Sequence, residues 1–118
     1  MLSIKESLIN GKGVFANIDI PSGTFLHYFQ GIEMSYKDFK EKYNDDTRYC
    51  YSLRRQNKII VAKDEPYYSY NISNYMNESN NPNTIFKKRA VYTLYNIKKG
   101  DELLLKYPRN YPRNYNLS

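Results

Sequence analysis

NYMNESNNPN, residues 74–83, is a dense polar cluster set just downstream of aromatic and β-branched residues. It reads either as a solvated turn, since Asn, Ser and Pro all favour turns, or as a segment whose side chains are placed for a site. Asn and Tyr are abundant along the whole chain, as are Lys and Ile, so no single Asn or Tyr decides between the two readings. The flanking segments have to decide it.

The chain has 118 residues, enough for one domain with a modest core and too few for two. Its hydrophobic fraction of 41% is slightly under the globular norm, but aromatic residues reach 16%, mostly Tyr, which favours a folded domain over a disordered one. The formal net charge of +6 suits an anionic partner such as nucleic acid or an acidic protein face. Lys and Arg are scattered, however, apart from short clusters such as Arg54-Arg55 and Lys87-Lys88-Arg89, and no recognised nucleic-acid motif accompanies them. Cys50 is the only cysteine and His27 the only histidine, which excludes an internal disulfide and leaves a structural zinc site without ligands. Asp45-Asp46 has no evident third ligand, so no metal is expected. No apolar run is long enough for a secretory signal or a bilayer span, and an intracellular setting without a membrane partner is expected.

Short extended pieces separated by turns dominate the pattern. Residues 3–9 and 13–18 read as strands around the Asn10-Gly11-Lys12-Gly13 turn, and 24–29 as a strand after Pro21-Ser22-Gly23. Ser35 is placed to cap a helix in which Tyr36, Phe39 and Tyr43 recur at helical spacing. Residues 48–53 and 58–62 read as a strand pair joined through Arg55-Gln56-Asn57, and 70–76 as one short helical turn. Further strands are expected at 84–86, 90–97 and 103–107, the last after the turn Lys98-Lys99-Gly100-Asp101. The tail repeats Tyr-Pro-Arg-Asn from Tyr107 and again from Tyr111, and its prolines favour an extended arm over 108–118.

Three of these segments, in order, resemble the SET-domain protein lysine methyltransferases. Gly11-Lys12-Gly13-Val14-Phe15-Ala16 is similar to the family's GxGVFA turn and strand. Asn71-Ile72-Ser73-Asn74-Tyr75-Met76-Asn77-Glu78-Ser79-Asn80-Asn81-Pro82-Asn83 is similar to its GN-x-A-R-F-I-N-H-S-x-x-P-N segment, and Gly100-Asp101-Glu102-Leu103-Leu104-Leu105-Lys106-Tyr107 to its GEEL-x-x-x-Y. Each motif alone is a common turn signal; the ordered trio makes the opening stretch a site segment. The resemblance implies a mainly β, SET-domain (β-clip) fold: several small sheets, a knot-like C-terminal crossing and one or two short helices. It implies a single domain over 1–118 with its core at about 4–110, the size of the small viral relatives.

It also implies a function. The family transfers a methyl group from S-adenosylmethionine to a protein lysine, histone tails among its substrates. Tyr107 aligns with the tyrosine whose hydroxyl orients methyl and amine; Asn77 and Glu78, with backbone groups of Lys12 and Gly13, fall where the cofactor binds; Tyr49, Phe86 and Leu105 fall along the lysine channel. Phe86 and Leu105 carry no hydroxyl, so the channel is expected to hold no water beside the amine and to pass dimethyl and trimethyl products. Glu102 reads as a solvated turn residue. Two departures stand out: Asn74 replaces the family's Arg, and Glu78 its His, a residue that contributes largely through its backbone. They leave open an alternative, a degenerate module that binds a peptide or protein partner without catalysis. Nucleosomal DNA for the basic surface, a homodimer as in small viral relatives, and a nuclear setting complete the implied partners.

Overall fold

The computed structural model describes residues 1–107, and its elements run β1 (Leu2–Glu6), β2 (Lys12–Ala16), β3 (Phe25–Tyr28), β4 (Ile32–Ser35), α1 (Tyr36–Tyr43), β5 (Cys50–Leu53), β6 (Lys58–Val61), α2 (Tyr67–Tyr70), β7 (Asn77–Glu78), β8 (Thr84–Lys87), β9 (Ala90–Thr93) and β10 (Glu102–Leu105). They form three small sheets with strand orders β1-β2-β10-β7, β3-β9-β8 and β4-β6-β5. The arm expected over 108–118 lies outside the described residues, as does the continuation of the expected C-terminal crossing.

The first sheet shows why its strands are short. Val14 and Ala16 of β2 and Leu103 and Leu105 of β10 alternate inward and, with Ile20, Met76, Val91 and Ile97, form the largest core cluster. β10 pairs antiparallel with β2 over Glu102 and Leu103 and then parallel with β7 over Leu104 and Leu105. A strand from the end of the described chain thus lies between an early hairpin and the segment met first in the sequence.

α1 forms where its cap predicts. Ser35 Oγ accepts from the Asp38 N–H at 3.1 Å, the Asn44 N–H closes the helix on the Lys40 carbonyl, and Phe39 is buried against Ile59 and Val61 of β6. The β5–β6 pair forms as expected, joined by a 3₁₀ turn over Arg54–Gln56 and a left-handed Asn57. Two features differ from the sequence expectation. β4 was not expected, because IEMS alternates weakly and is half exposed; it forms by pairing with β6, whose Ile59, Ile60 and Val61 are buried. The single turn expected over 70–76 is two elements, α2 and a 3₁₀ helix over Ile72–Tyr75, broken by extended Asn71.

Asn71 explains the break. Its side chain is fully buried, with Oδ1 accepting from His27 Nε2 and from the Gln30 N–H, both at 2.8 Å, while Nδ2 donates to the carbonyls of Gln30 and Tyr67. A buried amide with all its groups satisfied is stable, and one deprived of partners is costly. Asn71→Leu is therefore expected to destabilise by about 2–4 kcal/mol in denaturant titration. Burial also lowers the His27 pKa below its ordinary value, against the smaller upward pull of the Asn71 bond. Since the folded pKa lies below the unfolded one, His27 contributes stability that is complete above about pH 6.5 and is lost as pH falls. Thermal denaturation between about pH 7 and pH 5 should show a falling Tm that His27→Gln flattens.

Candidate active site

The polar stretch folds back onto the first hairpin through one amide. Asn77 Nδ2 donates to the carbonyls of Asn10 and Lys12 at 3.1 and 3.2 Å and to Glu102 Oε2 at 2.8 Å. Glu102 also accepts from Ser7 Oγ at 2.8 Å, so its carboxylate ties together the β1–β2 hairpin, β7 and β10. The two glycines of the hairpin motif serve different ends. Gly11 adopts φ of +45°, where a side chain is strained. Gly13 is needed for space: a Cβ there would lie 2.3 Å from Glu102 Oε2. Glu102 is thus a structural acceptor, which corrects the expectation of a solvated turn carboxylate.

Further along, the other asparagines replace backbone pairing. Asn83 Oδ1 accepts from the Leu104 N–H at 2.8 Å while its Nδ2 donates to the Glu102 carbonyl at 2.9 Å, and Thr84 Oγ1 donates to the Leu104 carbonyl. Asn74, in the place of the family's Arg, donates to the Tyr68 carbonyl at 3.0 Å. Glu78 is buried on β7, opposite Leu105 in the parallel register.

Just past β10 a cavity of about 330 Å³ opens, lined by Tyr49, Phe86, Leu105 and Tyr107 together with Phe29 and Tyr51. Phe86 packs edge-on against Phe29, with ring centroids 6.0 Å apart, and tilted against Tyr51 at 5.3 Å. Tyr49 takes φ of +59°, an uncommon conformation for a bulky residue, held by the Ala62 N–H on its carbonyl and an edge-on contact with Tyr68. The Tyr107 hydroxyl donates to the Met76 carbonyl. Met76 immediately precedes Asn77, so the hydroxyl and the Asn77–Glu102 cluster act on adjacent residues of one strand edge.

Cys50 also lines the cavity, and burial pushes its thiol up to about 12, the nearby Lys63 charge acting the other way. It is therefore a neutral wall group at ordinary pH, not a nucleophile. Among the described residues no carboxylate and no histidine lines the cavity. Among the described residues no group of three or more His, Cys, Asp or Glu is placed to hold a metal ion, and no helix is long and apolar enough to cross a membrane.

The SET-domain family model matches residues 11–108. The chain belongs to the SET-domain family. Solved structures agree in fold. A Plasmodium falciparum protein described as a candidate histone methyltransferase superposes with a TM-score of 0.69 at 20% identity, over 93% of this chain and 95% of that one. An inhibitor-bound humanized mutant of the Chaetomium thermophilum Polycomb Repressive Complex 2 gives 0.74 at 24% identity over 96% of this chain, and an apo form with two Ezh2 substitutions gives 0.72 at 24% over 95%. This SET domain spans only 15% of each of those two longer chains. No curated protein matches the sequence significantly.

Within the SET domain the expected residues fall into two groups. Tyr49, Phe86, Leu105 and Tyr107 meet in the cavity; Lys12, Gly13 and Asn77 meet at the hairpin, with Glu78 next along β7. Sequence reasoning missed Ser73, Arg54 and Lys106, which also line the cavity. Ser73 was inside the quoted motif, at the family's Ala position, and that substitution was the available signal; nothing in the sequence marked Arg54 or Lys106.

The contact between Gly13 and Glu102 can be measured as a coupling. Gly13→Ala should cost about 1–3 kcal/mol by overpacking, since Ser7 and Asn77 hold the carboxylate in place. Adding Glu102→Ala should make the double variant less unstable than the sum of the singles, by about 1 kcal/mol in a double-mutant cycle.

Proposed function

We propose that this SET domain is an S-adenosylmethionine-dependent protein-lysine N-methyltransferase. The observation that carries the reading is the Tyr107 hydroxyl, fixed on the Met76 carbonyl at the wall of an aromatic cavity, one residue from the Asn77–Glu102 cluster. The residues at that cluster fit the cofactor. With Asn77 Nδ2 committed to its three acceptors, Oδ1 remains to accept from the ammonium of the methionine portion, and the nearby Glu102 charge favours a cation. Lys12, exposed on the hairpin, offers the counter-charge for a carboxylate, and the backbone of Gly13 and Glu78 completes the set. When bound, S-adenosylmethionine supplies an electrophilic methyl on a sulfonium.

The protein's own contribution is alignment and dehydration. Phe29, Phe86 and Leu105 give the lysine side chain an apolar path, which disfavours the charged amine. Tyr107 orients the amine, and the aromatic walls keep it on a single approach line. Histone peptides are the first substrates to assay, since one solved relative is described as a histone methyltransferase and the others as Polycomb complexes. In a chromatin setting nucleosomal DNA and a second copy of the chain are candidate partners of the basic surface. A non-catalytic module, the reading favoured by Glu78 in place of His, would lack both cofactor binding and turnover.

Calorimetry with S-adenosylmethionine and a mass-spectrometric methylation assay test the proposal together. Tyr107→Phe should lower turnover by about 10²-fold or more while cofactor affinity holds and stability falls by about 1 kcal/mol, the loss of one hydrogen bond. Full activity in that variant would reject the assignment.

Product number is a second test. The expectation of dimethyl and trimethyl products rested on Phe86 and Leu105 offering no hydroxyl. Ser73 alters it: its Oγ is buried without a hydrogen-bond partner and the residue lines the cavity. A buried hydroxyl needs a partner, which a water or the substrate amine supplies. Ser73→Ala should therefore raise the share of dimethyl and trimethyl product; an unchanged distribution would show that Ser73 does not limit it.

A further inference from the structure

We infer that the lysine presented to this cavity lies in an acidic sequence context, flanked by aspartate or glutamate. The inference rests on the methyltransferase reading and departs from basic histone tails as its substrate class. It starts from the charges of the cavity wall. Among the described residues, two basic side chains line it, Arg54 and Lys106, both exposed. Cys50 is neutral, and no described carboxylate contributes to the lining.

The carboxylate next in sequence to the lining residue Thr47, that of Asp46, is already paired with cations, Arg48 at 2.8 Å and Lys63 at 2.6 Å. With a net charge of +6 overall, a basic tail meets like charge at the rim and during approach.

An acidic flank reverses both effects. A carboxylate beside the target lysine meets Arg54 or Lys106, and the guanidinium of Arg54 offers it a bidentate partner. The same two cations disfavour protonation of the incoming amine, which a cavity without a base requires. The charges that select the peptide thus also favour its nucleophilic form.

The test uses the full chain and three peptides of equal length, each with one central lysine flanked on both sides by Glu, by Ala or by Arg. Methylation followed by mass spectrometry should give Glu above Ala above Arg, with at least about a tenfold span in kcat/KM at low salt that shrinks at about 0.5 M NaCl. The double variant Arg54→Glu with Lys106→Glu should invert the order. Fluorescence anisotropy of the same peptides without cofactor reads the preference independently of turnover. Tighter binding of the Glu peptide with no methylation would keep the charge inference and remove the methyltransferase reading. An Arg peptide bound or methylated as well as the Glu peptide, or no binding of any of the three, would overturn the inference.

Discussion

β10 lies at the centre of its sheet, yet it has only two residues of pairing on each neighbour. A central strand must satisfy its backbone groups on both sides, because buried unpaired amides and carbonyls cost as much as lost hydrogen bonds. The neighbours are too short to do this alone, so side chains and a loop amide complete the ladder. Asn83 takes the Leu104 N–H and the Glu102 carbonyl, Thr84 takes the Leu104 carbonyl, and the Ser79 N–H takes the Leu105 carbonyl. The polar stretch is therefore polar because it stands in for a strand. It places β10, and with it Leu105 and Tyr107, against β7.

The same constraint explains which features were legible in the sequence. The hairpin, the capped α1, the β5–β6 pair and β10 each carried a local signal: a glycine turn, a cap with periodic aromatics, or an apolar alternation. The family motifs supplied the order in which those pieces meet. Asn77 was recognisable from its motif, but its partners were not. Glu102 sits 25 residues further along and looks like any carboxylate at a turn until the fold brings it to Asn77 Nδ2. Gly13 appeared to be a conformational glycine, whereas its role is steric and belongs to a residue at the other end of the domain.

What stayed hidden depends on long-range packing. Tyr49 was named as a channel residue, but its left-handed backbone follows from the β6 and Tyr68 contacts rather than from any turn signal nearby. Asn71 read as part of a motif, while its burial beneath His27, Gln30 and Tyr67 is a tertiary fact that splits one expected helical turn in two. β4 is a clear case of context overriding propensity, since its weak pattern becomes a strand only beside β6.

The distribution of polar groups separates support from chemistry. Outside the cavity, Asn71, Asn77, Asn83 and Glu102 hold strands and hairpins together. At its wall the charged groups are cations, the thiol is neutral, and aromatic rings fill much of the remainder. Such a wall is poorly suited to taking a proton from a substrate, because its described residues offer neither carboxylate nor imidazole. It is well suited to an amine that arrives neutral, since apolar rings and neighbouring positive charge both penalise ammonium. Alignment then becomes the main task left to the protein, and the hydroxyl assigned to it is anchored on the backbone of the residue that precedes Asn77. Under the proposed function the strand-completing asparagines matter indirectly, by fixing β10 and with it the position of Tyr107.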